Sequence, residues 1–397
     1  MRIVDVRELS VPLQADIANA LVNFSQHTVS LVALITDQVR HGKPVVGVAF
    51  NSIGRFSQSG IIRERMLPRL LAAEPAQLLA RQGEGFCPER VLNVIMANEK
   101  PGGHGDRASA AAAIELAVWD INAKLSGQPV YRLLANQYTP QQQAAHTRTV
   151  TSPSVPSYAA GGYYYPSHGI DRLKAELESY QVLGFESVKI KVGGLPLNED
   201  IARVEAAIDV TGHADHVAVD ANGRFDLNVA LEYARALSAL GVRWFEEPLD
   251  PLAFQSNRML CEAHEGVIAT GENLFSHQDV ANLLQFAGLR ANRDILQMDP
   301  GLSYGLTEYL NILKLVEAAG FSRSQCIPHG GHLINLHVVA GLSLGGCEAY
   351  PGVFQPFGGF GDDVEIKNGR VSPPEAPGFG LETSSRLRPY LKQLAVI

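Results

Sequence analysis

Two lysines in the stretch SVKIKVGG have a spacing that could support proton transfer. Lys189 and Lys191 are two residues apart in a short β-branched segment that runs into two glycines. Side chains at i and i+2 of a strand point to the same face, so both ammonium groups lean toward one spot. A neighbouring cation lowers the pKa of a lysine, and a lysine with a lowered pKa can act as a base near neutral pH.

Other short apolar segments in the second half of the chain also end in ionisable residues. These residues follow one another at intervals of 19 to 30 positions: Lys191, Asp220, Glu246, Glu272, Asp299, His329 and Glu348. Any one of them alone is as readily a solvated loop residue as a site residue. Solubility does not explain seven segments that each deliver a charge or an imidazole to the same end.

Three of the segments end in carboxylates, and these suggest a metal site. Asp220, Glu246 and Glu272 offer hard oxygen ligands of the kind that suit Mg²⁺, whereas zinc would prefer His or Cys. Asn222 lies two residues after Asp220 and shares its face, so it is a candidate contact in the same site. Glu247 points away from Glu246 and is expected to form a structural salt bridge.

The predicted strands and helices that would position these residues follow a different order in the two parts of the chain. Residues 1–145 read as a β-meander followed by helices, which predicts an α+β block. Residues 146–351 alternate short strands with amphipathic helices, which is typical of βαβ units and a parallel sheet. The strands are expected near SVPSYAAGGYYY and in SVKIKV, HVAVDAN, VRWFEEP, VIATGEN, DILQMDP, QCIPHGG and GGCEAYP. Eight strands would close a TIM-type barrel, whose sites lie at the carboxyl ends of the strands.

The tail at 352–397 is rich in Gly and Pro and contains one predicted hairpin with Asn368-Gly369 as its turn. We expect this tail to pack on the first block.

Composition limits the function classes. The chain has 397 residues, of which 46% are hydrophobic and 19% charged, as in an ordinary globular protein. A net charge of −8 argues against a general nucleic-acid binder. Cysteine spacing is not that of a metal site, and no signal peptide or membrane span is indicated, so a cytoplasmic location is expected.

The motifs together resemble the enolase superfamily, in its mandelate racemase subgroup. KIK resembles the KxK motif of the second barrel strand, DAN, EEP and GEN the metal-binding strand ends, and MDPG with PHGG the Asp-His dyad. The resemblance covers almost the whole chain. It implies a (β/α)7β modified TIM barrel with an N-terminal α+β capping domain that the C-terminal tail completes.

The resemblance also implies roles for the residues. One Mg²⁺ per subunit would be bound by Asp220, Glu246 and Glu272. Lys191 would take the proton next to the substrate carboxylate, with Lys189 lowering its pKa. Asp299 would orient and charge His329, which protonates the departing β-hydroxyl, and the acid in CEAYP, Glu348, would hydrogen-bond the substrate.

Within the subgroup, NEKPGGHGD, GGYYYP, IPHGGH and PFGGFGDD are similar to the D-tartrate dehydratases. That similarity implies dehydration of a diacid or acid sugar, with D-tartrate giving oxaloacetate. Lys100 would neutralise the second carboxylate of the diacid. Further substrate contacts are predicted in the cap loops and after the first barrel strand: Asn23, Asn51, Tyr163 and Tyr164. A homo-oligomer, octamers included, is usual for such relatives, and no nucleic-acid or membrane partner is expected.

Three alternatives remain open. Lys191 and His329 could exchange one proton without elimination, as in a racemase or epimerase. A lysine could instead form a Schiff base, as in a barrel aldolase. The barrel could also bind a ligand without catalysis.

Overall fold

The computed structural model describes residues 1–80, 85–138, 153–165 and 169–397. The predicted meander is confirmed as three antiparallel strands, β1 (Ile3–Pro12), β2 (Thr28–Arg40) and β3 (Lys43–Phe50). The cap helices are α1 (Ser59–Ile61), a π-helical turn (Ile62–Met66), α2 (Leu67–Ala72), α3 (Pro75–Leu78), α4 (Pro88–Ile95), α5 (Asp106–Leu125) and α6 (Val130–Tyr138). Helix α5 packs on β2 and β3. A Cβ on Gly47 would lie 2.1 Å from the Ala117 carbonyl oxygen, so glycine permits this close approach.

The second part of the chain is the expected barrel of parallel strands and outer helices. Its strands are β4 (Val155–Ala160), β5 (Val188–Lys191), β6 (Val217–Asp220), β7 (Phe245–Glu246), β8 (Ile268–Thr270), β9 (Ile295–Leu296) and β10 (Cys347–Ala349). Its helices are α7 (Gly169–Val182), α8 (Leu197–Thr211), α9 (Leu227–Leu240), α10 (Phe254–Ala263), α11 (His277–Phe286), α12 (Leu306–Ala318) and α13 (Leu333–Leu342). Strands β4 to β9 pair in chain order, and β10 pairs in parallel with β4. No helix in the described ranges is long and apolar enough to cross a membrane.

The strand predicted at QCIPHGG does not form. Only an isolated bridge joins Cys326 to Leu296, although the Ile327 and His329 amides donate to Leu296 and Gln297 in the manner of a strand. Pro328 stands between these two donors and has no N–H to offer to the other side of the segment, where β10 lies. The segment still occupies the place between β9 and β10, so His329 reaches the same rim.

The C-terminal tail contacts both parts of the molecule. Its predicted hairpin is confirmed as β11 (Ile366–Lys367) and β12 (Arg370–Val371), with positive φ at Asn368 and Gly369, and β12 pairs with β4. Helix α14 (Arg388–Gln393) follows, and Arg7 donates to the carbonyl of Leu394 at 2.8 Å. Tail and cap are thus in contact, as expected, while the hairpin extends the barrel sheet. The predicted boundary at 145/146 lies outside the described residues.

A buried carboxylate joins the cap to the barrel. Glu115 on α5 accepts the backbone N–H groups of Leu306 and Thr307 at 2.8 and 2.9 Å. These two residues begin α12, whose first N–H groups have no partner within the helix. The Trp119 indole donates to the same carboxylate at 2.8 Å and fixes its orientation.

A second buried group, His337 on α13, makes stability depend on pH. Burial lowers the pKa of His337 from 6.5 to about 3. Between these values the unfolded chain binds a proton that the folded chain does not, so the free energy of unfolding falls as pH falls through this window. His337 accepts the Tyr131 N–H through Nδ1, a bond that a glutamine oxygen can replace.

We therefore expect His337→Gln to reduce the loss of unfolding free energy between pH 6.5 and 4.5 by roughly 2 kcal/mol. Urea titrations followed by circular dichroism at each pH measure this difference. His41→Asn, at the exposed turn between β2 and β3 where φ is 49°, is the matched control and should behave like the parent. An equally steep pH dependence in His337→Gln would contradict the assignment.

Candidate active site

A cavity of about 180 Å³ opens where the carboxyl ends of the barrel strands face two loops of the cap. Six of the predicted site residues line it: Tyr163, Lys189, Lys191, Asn222, Glu272 and His329. Four more are buried and contact these lining residues: Asp220, Glu246, Asp299 and Glu348. The strand ends therefore meet in one place, as the barrel geometry predicts.

The two lysines of β5 are surrounded by carboxylates. Lys189 Nζ lies 2.5 Å from Glu246 Oε1 and 2.8 Å from Glu348 Oε1. Lys191 Nζ lies 2.5 Å from Asp220 Oδ2. The anions expected opposite the two ammonium groups are thus present, and they offset the cost of placing like charges together.

The pKa of Lys191 was expected to be lowered by Lys189, but the contacts around Lys191 raise it. Burial by itself lowers the pKa of Lys191, but the Asp220 carboxylate and the Tyr163 hydroxyl raise it above the ordinary lysine value. The repulsion by Lys189 is weaker than the attraction by Asp220 because Asp220 is in direct contact. Lys191 therefore holds its proton as long as Asp220 remains its partner.

The three carboxylates proposed as metal ligands converge. One oxygen each from Asp220, Glu246 and Glu272 lies within 4.8 Å of the other two. Asp220 is oriented by the backbone N–H of Asn222, which donates to Oδ1 at 2.8 Å. Glu272 alone of the three is partly open to the cavity.

The chemistry of this oxygen set fits Mg²⁺. Glu246 also accepts from Trp244 at 2.9 Å and Gln297 at 2.7 Å, which fixes its carboxylate in place. Even so, burial raises the pKa of Glu246 to about 7, so its charge is costly unless more positive charge is near. A hard divalent cation that takes oxygen ligands would relieve that cost.

Among the described residues, Glu247 does not form the expected salt bridge. Its carboxylate is buried, Oε2 accepts from Asn273 Nδ2 at 2.8 Å, and no described residue donates to Oε1. The backbone at Glu247 has φ 35°, so the strand rule that would turn this side chain away from Glu246 does not apply. Burial, followed by the charge of Glu272, raises the pKa of Glu247 well above its ordinary value.

His329 and Asp299 form the predicted pair. His329 Nδ1 lies 3.2 Å from Asp299 Oδ2, and Asp299 Oδ1 accepts the Gly301 N–H at 2.7 Å. Burial alone would lower the pKa of His329, but the carboxylates of Glu272, Asp299 and Glu348 raise it to about 9. An imidazolium that is charged at neutral pH can donate a proton to a leaving group.

Glu348 and Tyr350 connect the imidazole to the lysines. Glu348 Oε2 accepts the Gly330 N–H at 2.9 Å and the Tyr350 hydroxyl at 3.1 Å, while Oε1 faces Lys189. The Tyr350 hydroxyl also lies 3.2 Å from His329 Nε2. Sequence reasoning missed Tyr350, although it stands two residues after Glu348 and so shares its face of the strand end.

The structure does not bring four predicted substrate contacts to the cavity. Asn51 is buried and binds the Ser30 N–H, Tyr164 donates to Asp200 at 2.7 Å, and the side chains of Asn23 and Lys100 are exposed. Tyr163, by contrast, lines the cavity beside Lys191. Of the two predicted tyrosines, Tyr163 is therefore the one that lines the cavity.

Two cap residues that were not predicted as substrate contacts line the cavity. Asn19 donates to Asn222 Oδ1 at 3.0 Å, and Arg55 donates to Asn273 Oδ1 at 2.6 Å. Both cap residues lie in the cap loops in which the substrate contacts Asn23 and Asn51 were predicted. A sequence shows which loops are polar but not which of their side chains turn inward.

Sequence comparison identifies relatives across most of the chain. Residues 9–135 match the family described as the mandelate racemase / muconate lactonizing enzyme N-terminal domain, and residues 172–387 match the enolase C-terminal domain-like family. Arabinonate dehydratase of Saccharolobus solfataricus is 30% identical over 315 residues, covering 76% of this chain and 77% of that protein. L-Talarate/galactarate dehydratase of Salmonella typhimurium is 26% identical over 379 residues, covering 95% of this chain and 87% of that protein.

Structure comparison gives the same picture. L-Talarate dehydratase from Polaromonas sp. JS666, solved with Mg and L-glucarate, superposes with a TM-score of 0.74 at 25% identity. The superposition covers 98% of this chain and 97% of that one. Cap and barrel are therefore both shared with an acid-sugar dehydratase.

Proposed function

This chain belongs to the mandelate racemase and muconate lactonizing enzyme family of the enolase superfamily, and from that premise we propose that it is a Mg²⁺-dependent dehydratase of acid sugars. One observation carries the proposal. Lys191 stands on β5, before the three carboxylate-bearing strands, and the Asp299–His329 pair follows them, all around one cavity. A base and an acid that flank one metal-binding rim suit removal of a proton and a hydroxide from adjacent carbons.

We assign the metal to Asp220, Glu246 and Glu272. Mg²⁺ held there would supply positive charge that stabilises the negative charge developing on the substrate carboxylate, and would occupy Asp220, the partner of the Lys191 ammonium. Lys189, buried between Glu246 and Glu348, keeps a fixed positive charge beside the same place.

The side chains then divide the reaction. Lys191 takes the proton from the carbon next to the carboxylate. His329, charged and oriented through Asp299, gives a proton to the β-hydroxyl, which leaves as water. The enol that forms becomes a 2-keto acid by tautomerisation. Glu348, which accepts from the Gly330 N–H and the Tyr350 hydroxyl, would hydrogen-bond the substrate in this proposal.

The more specific proposal is D-tartrate, which loses one water to give oxaloacetate. Its support is the similarity of NEKPGGHGD, GGYYYP and PFGGFGDD to the D-tartrate dehydratases. The relatives named above are dehydratases of other acid sugars, so the assay below compares D-tartrate with other acids.

We expect a 2-keto acid to form when the Mg²⁺-loaded protein is incubated with its substrate, and EDTA to abolish turnover until Mg²⁺ is restored. The assay is semicarbazide detection across D-, L- and meso-tartrate, six-carbon diacids and their monoacid counterparts. Formation of only an inverted epimer would favour the racemase alternative. Activity that survives EDTA, with an adduct trapped by borohydride on Lys189 or Lys191, would favour the aldolase.

A further inference from the structure

Four cations line the candidate active site, and one of them has no acidic partner. Lys189 and Lys191 contact carboxylates at 2.5 Å, and His329 contacts Asp299 at 3.2 Å. Arg55 instead donates through Nη2 to the neutral side-chain oxygen of Asn273. Within the described ranges of the chain, Arg55 forms no salt bridge.

The guanidinium of Arg55 is held in a fixed orientation. It stacks over the Phe275 ring, with Cζ 4.9 Å from the ring centroid. Asn273, its hydrogen-bond partner, is itself fixed because its amide donates to Glu247 Oε2 at 2.8 Å. No described residue accepts from Nε or Nη1, and Asn273 takes only one of the two Nη2 N–H groups. The second Nη2 N–H, together with the N–H of Nε or Nη1 beside it, therefore forms an edge with two free donors. Such an edge matches the two oxygens of a carboxylate.

The position of Arg55 relative to His329 suggests which substrate group it meets. A Cβ on the preceding residue, Gly54, would lie 3.6 Å from His329 Cε1, so this loop passes directly over the imidazole. Asn273 follows the metal-ligand candidate Glu272 in the chain. Arg55 therefore lies on the His329 side of the cavity. In a 2,3-dihydroxy diacid, the second carboxylate is bonded to the carbon that loses its hydroxyl, and that hydroxyl must face His329.

We propose that Arg55, rather than Lys100, binds the second carboxylate of a diacid substrate. The inference rests on the proposed dehydratase function and adds to it a preference for diacids over monoacids. Lys100 lies outside the cavity with an exposed side chain, and its carbonyl accepts from Arg107 at 2.9 Å. Lys100 would have to move to reach a ligand in the cavity, whereas Arg55 already lines it. The stacked guanidinium of Arg55 also loses little conformational freedom on binding.

The test compares the parent enzyme, loaded with Mg²⁺, with Arg55→Gln, Arg55→Lys and the matched control Lys100→Gln. Each is assayed with D-tartrate and with the four-carbon monoacid of the same configuration that carries CH₂OH in place of the second carboxylate. Arg55→Gln should lower kcat/KM for the diacid about 100-fold and for the monoacid less than about threefold. Arg55→Lys should keep part of the diacid activity, because it retains the charge but not the two-donor edge. Lys100→Gln should leave the ratio of the two substrates unchanged.

Calorimetry with the diacid gives an independent reading, in which the dissociation constant should rise in Arg55→Gln while that for Mg²⁺ stays the same. Equal losses for both substrates, or a selective loss in Lys100→Gln instead, would overturn the assignment. A parent that dehydrates only monoacids would overturn it while leaving the dehydratase proposal standing. A parent that dehydrates neither class would refute the dehydratase proposal, and this inference with it.

Discussion

Replacing Lys191 with alanine is expected to lower kcat at least about 1000-fold, because Lys191 lines the cavity and is the base of the proposed reaction. The fold should survive, since removal of the ammonium leaves the apolar part of β5 in place. Affinity for Mg²⁺ should be retained or should increase, because Asp220 loses the ammonium that lies 2.5 Å away. Single-turnover assays, circular dichroism and metal titration by calorimetry measure these three properties separately.

The matched control is Lys174→Ala, which removes an exposed lysine that pairs with Asp209 at 3.4 Å. A surface pair of this kind contributes little, so the control should turn over like the parent. Activity of Lys191→Ala within tenfold of the parent would place the base elsewhere. Loss of Mg²⁺ binding together with activity would show a structural role instead.

Replacing His329 with asparagine should separate the two halves of the reaction. Dehydration should fall by roughly 10² to 10⁴, because His329, paired with Asp299 at 3.2 Å, is the proposed proton donor to the departing hydroxyl. Exchange of the substrate α-hydrogen with deuterium from D₂O should continue, because Lys191 remains. Proton NMR of the recovered substrate follows the exchange, and the keto-acid assay follows the elimination.

Asp299→Asn is the companion variant for this test. It keeps the imidazole but removes the charge that helps to raise the His329 pKa, so dehydration should fall less than in His329→Asn. If His329→Asn loses exchange as well as dehydration, His329 is the base and the roles of the two residues must be reversed.

Much of the barrel and the centre of its site followed from local patterns. Short apolar runs that end in an ionisable residue before a loop can be read directly, and parallel strands bring such ends together without further information. That is why Lys191, Asp220 and His329 were predicted to share one site. The apolar pattern before His329 predicts a strand that does not form. Pro328 removes a hydrogen bond of the strand ladder but leaves the path of the chain intact, and the apolar pattern does not show this difference.

The cap side of the site could not be predicted in the same way. Arg55 meets Asn273 across 218 residues, and Asn19 meets Asn222 across 203. Which side chain of a loop turns inward depends on packing at that distance, not on its neighbours in sequence. Asn51 illustrates this, because its amide oxygen accepts the Ser30 N–H of strand β2 and so binds the protein backbone rather than a ligand. The direction of the Lys191 pKa shift was predicted wrongly for the same reason, because it depends on contact with Asp220.

The contact of Glu115 with the start of α12 has a consequence for how this protein can be recombined with its relatives. The carboxylate belongs to the first part of the chain, yet the two N–H groups that it satisfies belong to the second. A chimera that joins this barrel to the capping domain of another family member keeps helix α12. It lacks the Glu115 carboxylate at the start of that helix, unless the other protein also has an acid at this place. Each buried N–H left without a partner would cost about 1 to 3 kcal/mol. The capping domain and the barrel should therefore be exchanged together. Substrate specificity is more safely altered by exchanging the loops around Asn19 and Arg55 than by exchanging the capping domain alone.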